Sequence, residues 1–248
     1  MTRCFRLVTA AVLFSPSSLL AQTDAPKPVT FSGDIGFVNT AGNTSVTTLS
    51  VGDKLVARTG SLVLTQLFAL VYGRSAGEEN ANSIGFRGRA ELPLTGRLSA
   101  YGFAGYERNK FAGIARRFDE GIGLALAVLK TPGDELTLEG GAGLVQESRY
   151  LSGTEGATLK DSFASGRAAL GFLHRFTKTA YFQQGVEYLV NLEDTDASRI
   201  NSESALVAPL SAHLSIRAAY LVKYNSRPLQ ASLKKTDRFL TTGLQITY

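Results

Sequence analysis

The stretch DRFLTTGLQITY, residues 237–248, decides how this chain is read. Leu240, Leu244, Ile246 and Tyr248 share one parity, with Thr242 the only polar residue among them. Phe239, Thr241, Gly243, Gln245 and Thr247 take the other. Successive side chains of a strand point to opposite faces, so this period of two describes a strand with one apolar and one mostly polar face.

Working back from this strand, the same unit recurs. Stretches of roughly ten or more residues, the length of a tilted membrane-crossing strand, fall at 32–40, 45–58, 62–74, 83–94, 98–108, 118–130, 135–150, 162–176, 180–192, 200–210, 214–226 and 237–248. The connections alternate in kind. Those at 59–61, 95–97, 131–134, 177–179 and 211–213 are short, while those at 75–82, 109–117, 151–161, 193–199 and 227–236 are longer and more charged. The first turn, at 41–43, is a short one on the long side. No segment from Phe31 onward approaches the ~18 apolar residues of a membrane helix.

This pattern predicts an all-β fold, an antiparallel up-and-down transmembrane barrel of about twelve strands. It would have short periplasmic turns and longer outer loops. In 118–130, Ile122, Leu124, Leu126 and Val128 would face lipid, and Asp119, Gly121, Gly123, Ala125 and Ala127 the lumen. Closure follows from the solvent: an open sheet edge in lipid leaves backbone groups unpaired at several kcal/mol each, so strand twelve must pair with strand one.

Bulk properties narrow the rest. Residues 1–21 carry Arg3 and Arg6 ahead of an apolar run and end on Ala21, the plan of a cleaved signal peptide. Residues 22–30, with Pro26 and Pro28, read as an extended linker, leaving 31–248 as the barrel domain. The one cysteine, Cys4, would leave with the signal, so disulfides and thiol chemistry are not expected. Without Arg3 and Arg6 the chain has 24 basic against 21 acidic residues, interspersed, which argues against a nucleic-acid partner.

Several stretches resemble a known family. GFVNTAGNTS at 36–45, YERNKFAGI at 106–114, LEDTD at 192–196 with RINSESAL at 199–206, and KKTD at 234–237 leading into TTGL at 241–244 are similar to the YdiY-like family of outer-membrane β-barrel proteins described as salt-induced, a domain of unknown function. That resemblance implies an outer-membrane barrel and supplies no substrate, cofactor or site residue. Thr241, Gly243, Ile246 and Tyr248 also resemble the terminal signal by which such barrels are taken up by the barrel-assembly machinery.

The lumen is the candidate site. The facing pattern puts Lys54, Arg87, Arg89, Glu91, Glu139, Arg167, Glu187, Glu203 and Arg217 inside. Barrels of ~8 strands are filled by side chains and those of ~16–18 hold a water channel, so twelve decides nothing alone. Inward Gly and Ala, at 121, 123, 125, 127, 141, 143, 169, 171, 205 and 219, are expected to leave space. The expected function is therefore a narrow passive channel for ions or small polar solutes in the bacterial outer membrane. The alternative is a closed structural or adhesive barrel acting through its outer loops on lipopolysaccharide or a partner.

Enzyme chemistry is not expected. His174 and His213 both sit near the periplasmic turns, and no hydrolase or phosphate-loop motif is present. Glu193, Asp194 and Asp196 form a weak candidate for a divalent cation without the spacing of a calcium loop. Lys110, Arg116, Arg117, Lys234 and Lys235 are assigned to outer loops, where they could meet lipopolysaccharide; lipid is the other expected partner.

Overall fold

A computed structural model describes residues 28–40, 46–151, 158–228 and 235–248. The expected signal peptide, all but the end of the linker, the turn at 41–43, most of the loop at 151–161 and Lys234 lie outside them.

The described chain forms twelve strands: β1 (Val29–Thr40), β2 (Val46–Thr59), β3 (Leu62–Ser75), β4 (Glu78–Pro93), β5 (Leu98–Asn109), β6 (Ile114–Lys130), β7 (Asp134–Tyr150), β8 (Thr158–Arg175), β9 (Tyr181–Asn191), β10 (Ser198–Pro209), β11 (Leu214–Asn225) and β12 (Thr236–Thr247). Each pairs antiparallel with its sequence neighbours, and β12 returns to β1, so the sheet is a closed barrel. The outward faces carry the apolar residues. Ile122 at the middle of β6 is 74% exposed and Leu240 on β12 is 73% exposed, which fits only an apolar surround. Asp53 and Glu120 interrupt that belt, and nothing in the structure explains them.

Two expected outer loops are tight turns instead. β3 and β4 are joined by Ala76 and Gly77 alone, with φ of 51° and 88°, the left-handed pair that a two-residue hairpin needs. β6 starts at Ile114, so the turn before it is only 110–113. The strands run past the apolar belt into water, where charged side chains suit a strand as well as a loop. Density of charge was therefore no marker of the strand end. The asymmetry between the two ends persists at 226–235, which is long against 210–213, while 192–197 exceeds 176–180 by a single residue.

The closing seam is the shortest ladder. Its register runs only from Ser32↔Thr247 to Ile35↔Leu244. Tyr248 extends it by one reciprocal pair: its carbonyl accepts from Phe31 N at 3.1 Å and its N–H donates to Phe31 O at 2.9 Å. The Tyr248 ring also stacks on His213, centroids 5.3 Å apart. Gly243 sits where any Cβ would run into the Ile35 carbonyl, so the two strands can approach only with glycine there.

Candidate functional site: the barrel lumen

Inner-face side chains come from every strand, and β4 to β9 supply most of the charge. Arg87 and Arg89 on β4, Asp119 on β6, Glu139 on β7, Arg167 on β8 and Glu187 on β9 all point inward, because each sits on the parity opposite the lipid-facing residues. They form one network. Arg87 bonds Asp119 at 2.6 Å and Glu187 at 3.1 Å; Arg167 bonds Glu187 at 2.7 Å and Glu139 at 2.6 Å; Arg89 bonds Glu139 at 2.9 Å and Glu91 at 2.8 Å. Asn201 adds a donor to Glu187 at 3.0 Å. The Arg87–Glu187 bond crosses the lumen from β4 to β9.

A second network lies nearer the loop end. Glu107, Arg117, Glu147 and Asp161 are directly opposed in register across β5, β6, β7 and β8. Glu147, only 1% exposed at its side chain, accepts from Arg117 at 2.8 Å, from Arg199 at 3.0 Å and from Arg149. Glu107 accepts from Arg117 at 3.0 Å and from Lys223 at 2.9 Å. Lys223 is on β11, which stands opposite β5 in the ring of twelve, so this bond spans the barrel. Charges removed this far from water require partners, and here Glu107 has two and Glu147 three.

Aromatic rings fill the gap between the networks and the wall. Tyr101 faces Gly123 and then Gly141 in register, and Phe103 faces Gly121 and then Gly143. A Cβ on Gly121 would lie 2.9 Å from the Phe103 ring, and one on Gly123 would lie 2.5 Å from Tyr101 Cζ. The rings thus lie flat over glycine, a way sheets recover packing lost at glycine. Arg89 sits 4.0 Å over the Tyr101 ring and Arg87 5.0 Å over Phe103, both within cation–π range. Tyr101 accepts from Arg167 at 2.8 Å and is 4% exposed. The space expected over Gly121, Gly123, Gly141 and Gly143 is therefore occupied.

The opposite wall is different. Ser32, Asp34 and Gly36 on β1, Ser50, Gly52 and Lys54 on β2, Thr65, Leu67 and Ala69 on β3, and Thr241 and Gly243 on β12 face inward. Leu67 is directly opposed to both Lys54 and the inward Arg87, yet it is 41% exposed. Lys54 is exposed too, and no carboxylate of the described residues lies within 4.0 Å of its ammonium.

Of the nine sequence-derived lumen residues, six join the β4–β9 network, Glu203 and Arg217 form a separate pair at 2.6 Å, and Lys54 has no ion pair within 4.0 Å among the described residues. Sequence reasoning left out Tyr101, Glu107, Glu147 and Lys223, although the parity of their strands placed each inside. Arg117, assigned to an outer loop, is a lumen residue of β6; Arg116 is on the same strand and faces outward. Lys110 is in the turn and bonds Glu79 at 2.5 Å. Lys235 immediately precedes β12.

The other candidates resolve into local structure. Arg227 bonds Asp196 at 3.0 Å and also Asp194, so a guanidinium already neutralises that acidic pair; Glu193 turns to Ala164 N at 3.5 Å. His174 Nδ1 lies 2.7 Å from Asp134 and its ring meets Phe176 edge-on at 4.8 Å. Neither histidine ring bonds a serine hydroxyl among the described residues.

A family model described as "Protein of unknown function, DUF481" matches residues 33–248. The chain is 27% identical over 221 residues to "Uncharacterized protein YdiY" of Escherichia coli K12, spanning 89% of this chain and 83% of that one. It is similar in structure to the translocator domain of the autotransporter NalP from Neisseria meningitidis (14% identity, TM-score 0.49, 91% of this chain and 90% of that one). The NanC porin (9% identity, TM-score 0.47, 87% and 97%) is another such structure. So is the KdgM porin in complex with disordered oligogalacturonate (10% identity, TM-score 0.44, 89% and 99%). Likeness at this level concerns architecture and carries nothing about solutes.

Proposed function

The chain belongs to the DUF481 family, whose description names no activity, and on the geometry of its lumen we propose that it is an outer-membrane barrel conducting ions or small polar solutes. The path is narrow and runs along the inner wall of β11, β12, β1, β2 and β3. One observation carries this reading: Leu67 points into a closed barrel and is still 41% exposed, with Lys54 exposed beside it. Open space of that kind, walled by Ser, Gly, Thr and Ala, suits water and small hydrated solutes.

A second reading is a closed structural barrel. It is favoured by the Glu107–Lys223 bond, which joins opposite strands near the loop end. Conductance separates the two. Purified, heat-modifiable protein in a planar bilayer should give small stepwise currents if the first reading is right. Folded protein that gives no current leaves the closed barrel as the function.

A further inference from the structure

The lumen and the loops do not account for a row of cations on the lipid-facing surface. Arg116 on β6 is opposed in register to Ser148 on β7, and Ser148 in turn to Lys160 on β8. Arg108 on β5 lies between the pairs Glu107↔Arg117 and Asn109↔Ile114, facing the bulge that precedes Arg117. Arg108, Arg116 and Lys160 are exposed, on the outward parity, and at the loop end of their strands. Neighbouring strands are about 4.8 Å apart, so Arg116 and Lys160 are separated by roughly 10 Å across β7.

No carboxylate of the described residues lies within 4.0 Å of the charged groups of this row. The inward acids beside it, Glu107 and Glu147, are taken up by the lumen network. The acid near the row at the rim, Glu79, is bonded to Lys110 at 2.5 Å and to Asn82 at 2.6 Å. Ser148 accepts from Arg116 Nε at 3.3 Å, which aims that guanidinium along the row. Immediately below, toward the membrane centre, Tyr106 and Phe118 pack ring to ring at 5.1 Å on the same outward face. The surface thus changes within one strand step from aromatic to cationic. That is the profile of a bilayer at the boundary between acyl chains and phosphates.

We propose that the outward row of Arg108, Arg116, Ser148 and Lys160 is a binding site for the phosphates of a membrane-embedded lipid, the lipopolysaccharide of the leaflet at the loop end. The guanidinium forks take the phosphate oxygens, the Ser148 hydroxyl holds Arg116 in line, and the acyl chains lie on Tyr106 and Phe118. The apolar part of the ligand is integral to the fit, so a free phosphate is a poor occupant.

The test is binding of fluorescent lipopolysaccharide to the folded barrel in detergent micelles. Each cation beside an anionic surface contributes roughly fivefold, so Arg108→Ala/Arg116→Ala/Lys160→Ala should weaken binding about a hundredfold. Dephosphorylated lipopolysaccharide should lose as much on the unaltered protein, and an excess of inorganic phosphate should not compete. Arg108→Lys/Arg116→Lys keeps the charge and loses the guanidinium fork, so it should weaken binding far less than the triple variant, which guards against a folding defect. Heat-modifiable migration of each variant gives the same guard. Unchanged binding by the triple variant, or full competition by inorganic phosphate, overturns the proposal. Neither result depends on whether the lumen conducts.

Discussion

The wall from β4 to β10 and the wall from β11 through β12 and β1 to β3 enclose the same lumen in opposite ways. The first packs guanidinium, carboxylate and aromatic groups until Glu147 is 1% exposed at its side chain. The second presents mostly short side chains, an exposed leucine and, among the described residues, one lysine with no carboxylate within 4.0 Å; its charged residues on β11, Arg217 and Lys223, pair with Glu203 and Glu107 of the first wall. Composition does not separate them, since both carry glycine and both signs of charge. What differs is whether a large residue on one strand finds glycine on the next. Tyr101 and Phe103 do; Leu67, opposed by Lys54 and Arg87, does not. The comparison teaches that a twelve-stranded barrel can be plugged along one side by its own wall, with no loop or helix inserted among the described residues.

The largest expected effect is at Glu147. Glu147→Ala leaves three guanidiniums without their shared carboxylate, and breaking a buried ion pair costs about 3–5 kcal/mol. Asp34→Ala in the open half should cost no more than about 0.5 kcal/mol, as for surface changes. Urea midpoints of the refolded proteins check both, and equal midpoints would erase the distinction between the halves. Next, Tyr101→Ala should cost about 3 kcal/mol and should also raise conductance, because the removed ring is what fills the space over Gly123.

Deleting Tyr248 acts on the seam, which lies in the open half. It removes the reciprocal pair with Phe31 and the stack on His213, and we expect a lower yield of heat-modifiable protein; normal yield would separate the seam from assembly. The smallest effect is electrical: Lys54→Glu should leave stability unchanged and shift reversal potential toward cation preference. Arg167→Glu, in contrast, should lower stability before it alters selectivity. A reversal potential indifferent to Lys54 would move the path away from β2.

Much of the architecture was legible because parity alone carries it. Twelve strands, the face of each, and the return of β12 to β1 follow from alternation and from the demand that no edge meet lipid. Strand ends were less legible. Glu78, Glu79 and Arg117 are charged and extend strands, because a barrel wall continues beyond the bilayer. The filling of the lumen could not be read from one strand at a time. It depends on Tyr101 meeting Gly123 and Gly141, and on Glu107 meeting Lys223, 116 residues away in sequence. A Tyr-x-Phe on one strand facing Gly-x-Gly on the next two was the available signal, and it needed the register to be read.

The central claim is that the path follows the β11–β3 wall. The most direct measurement is single-channel current through Ala69→Cys, on the open wall, produced without residues 1–21 and hence with no other cysteine. Current should be stepwise before labelling and should fall close to zero after reaction with a bulky methanethiosulfonate. Ala125→Cys, buried in the opposite wall, should keep its current under the same treatment. Current that survives labelling at Ala69, or no current at all from folded protein, would contradict the account.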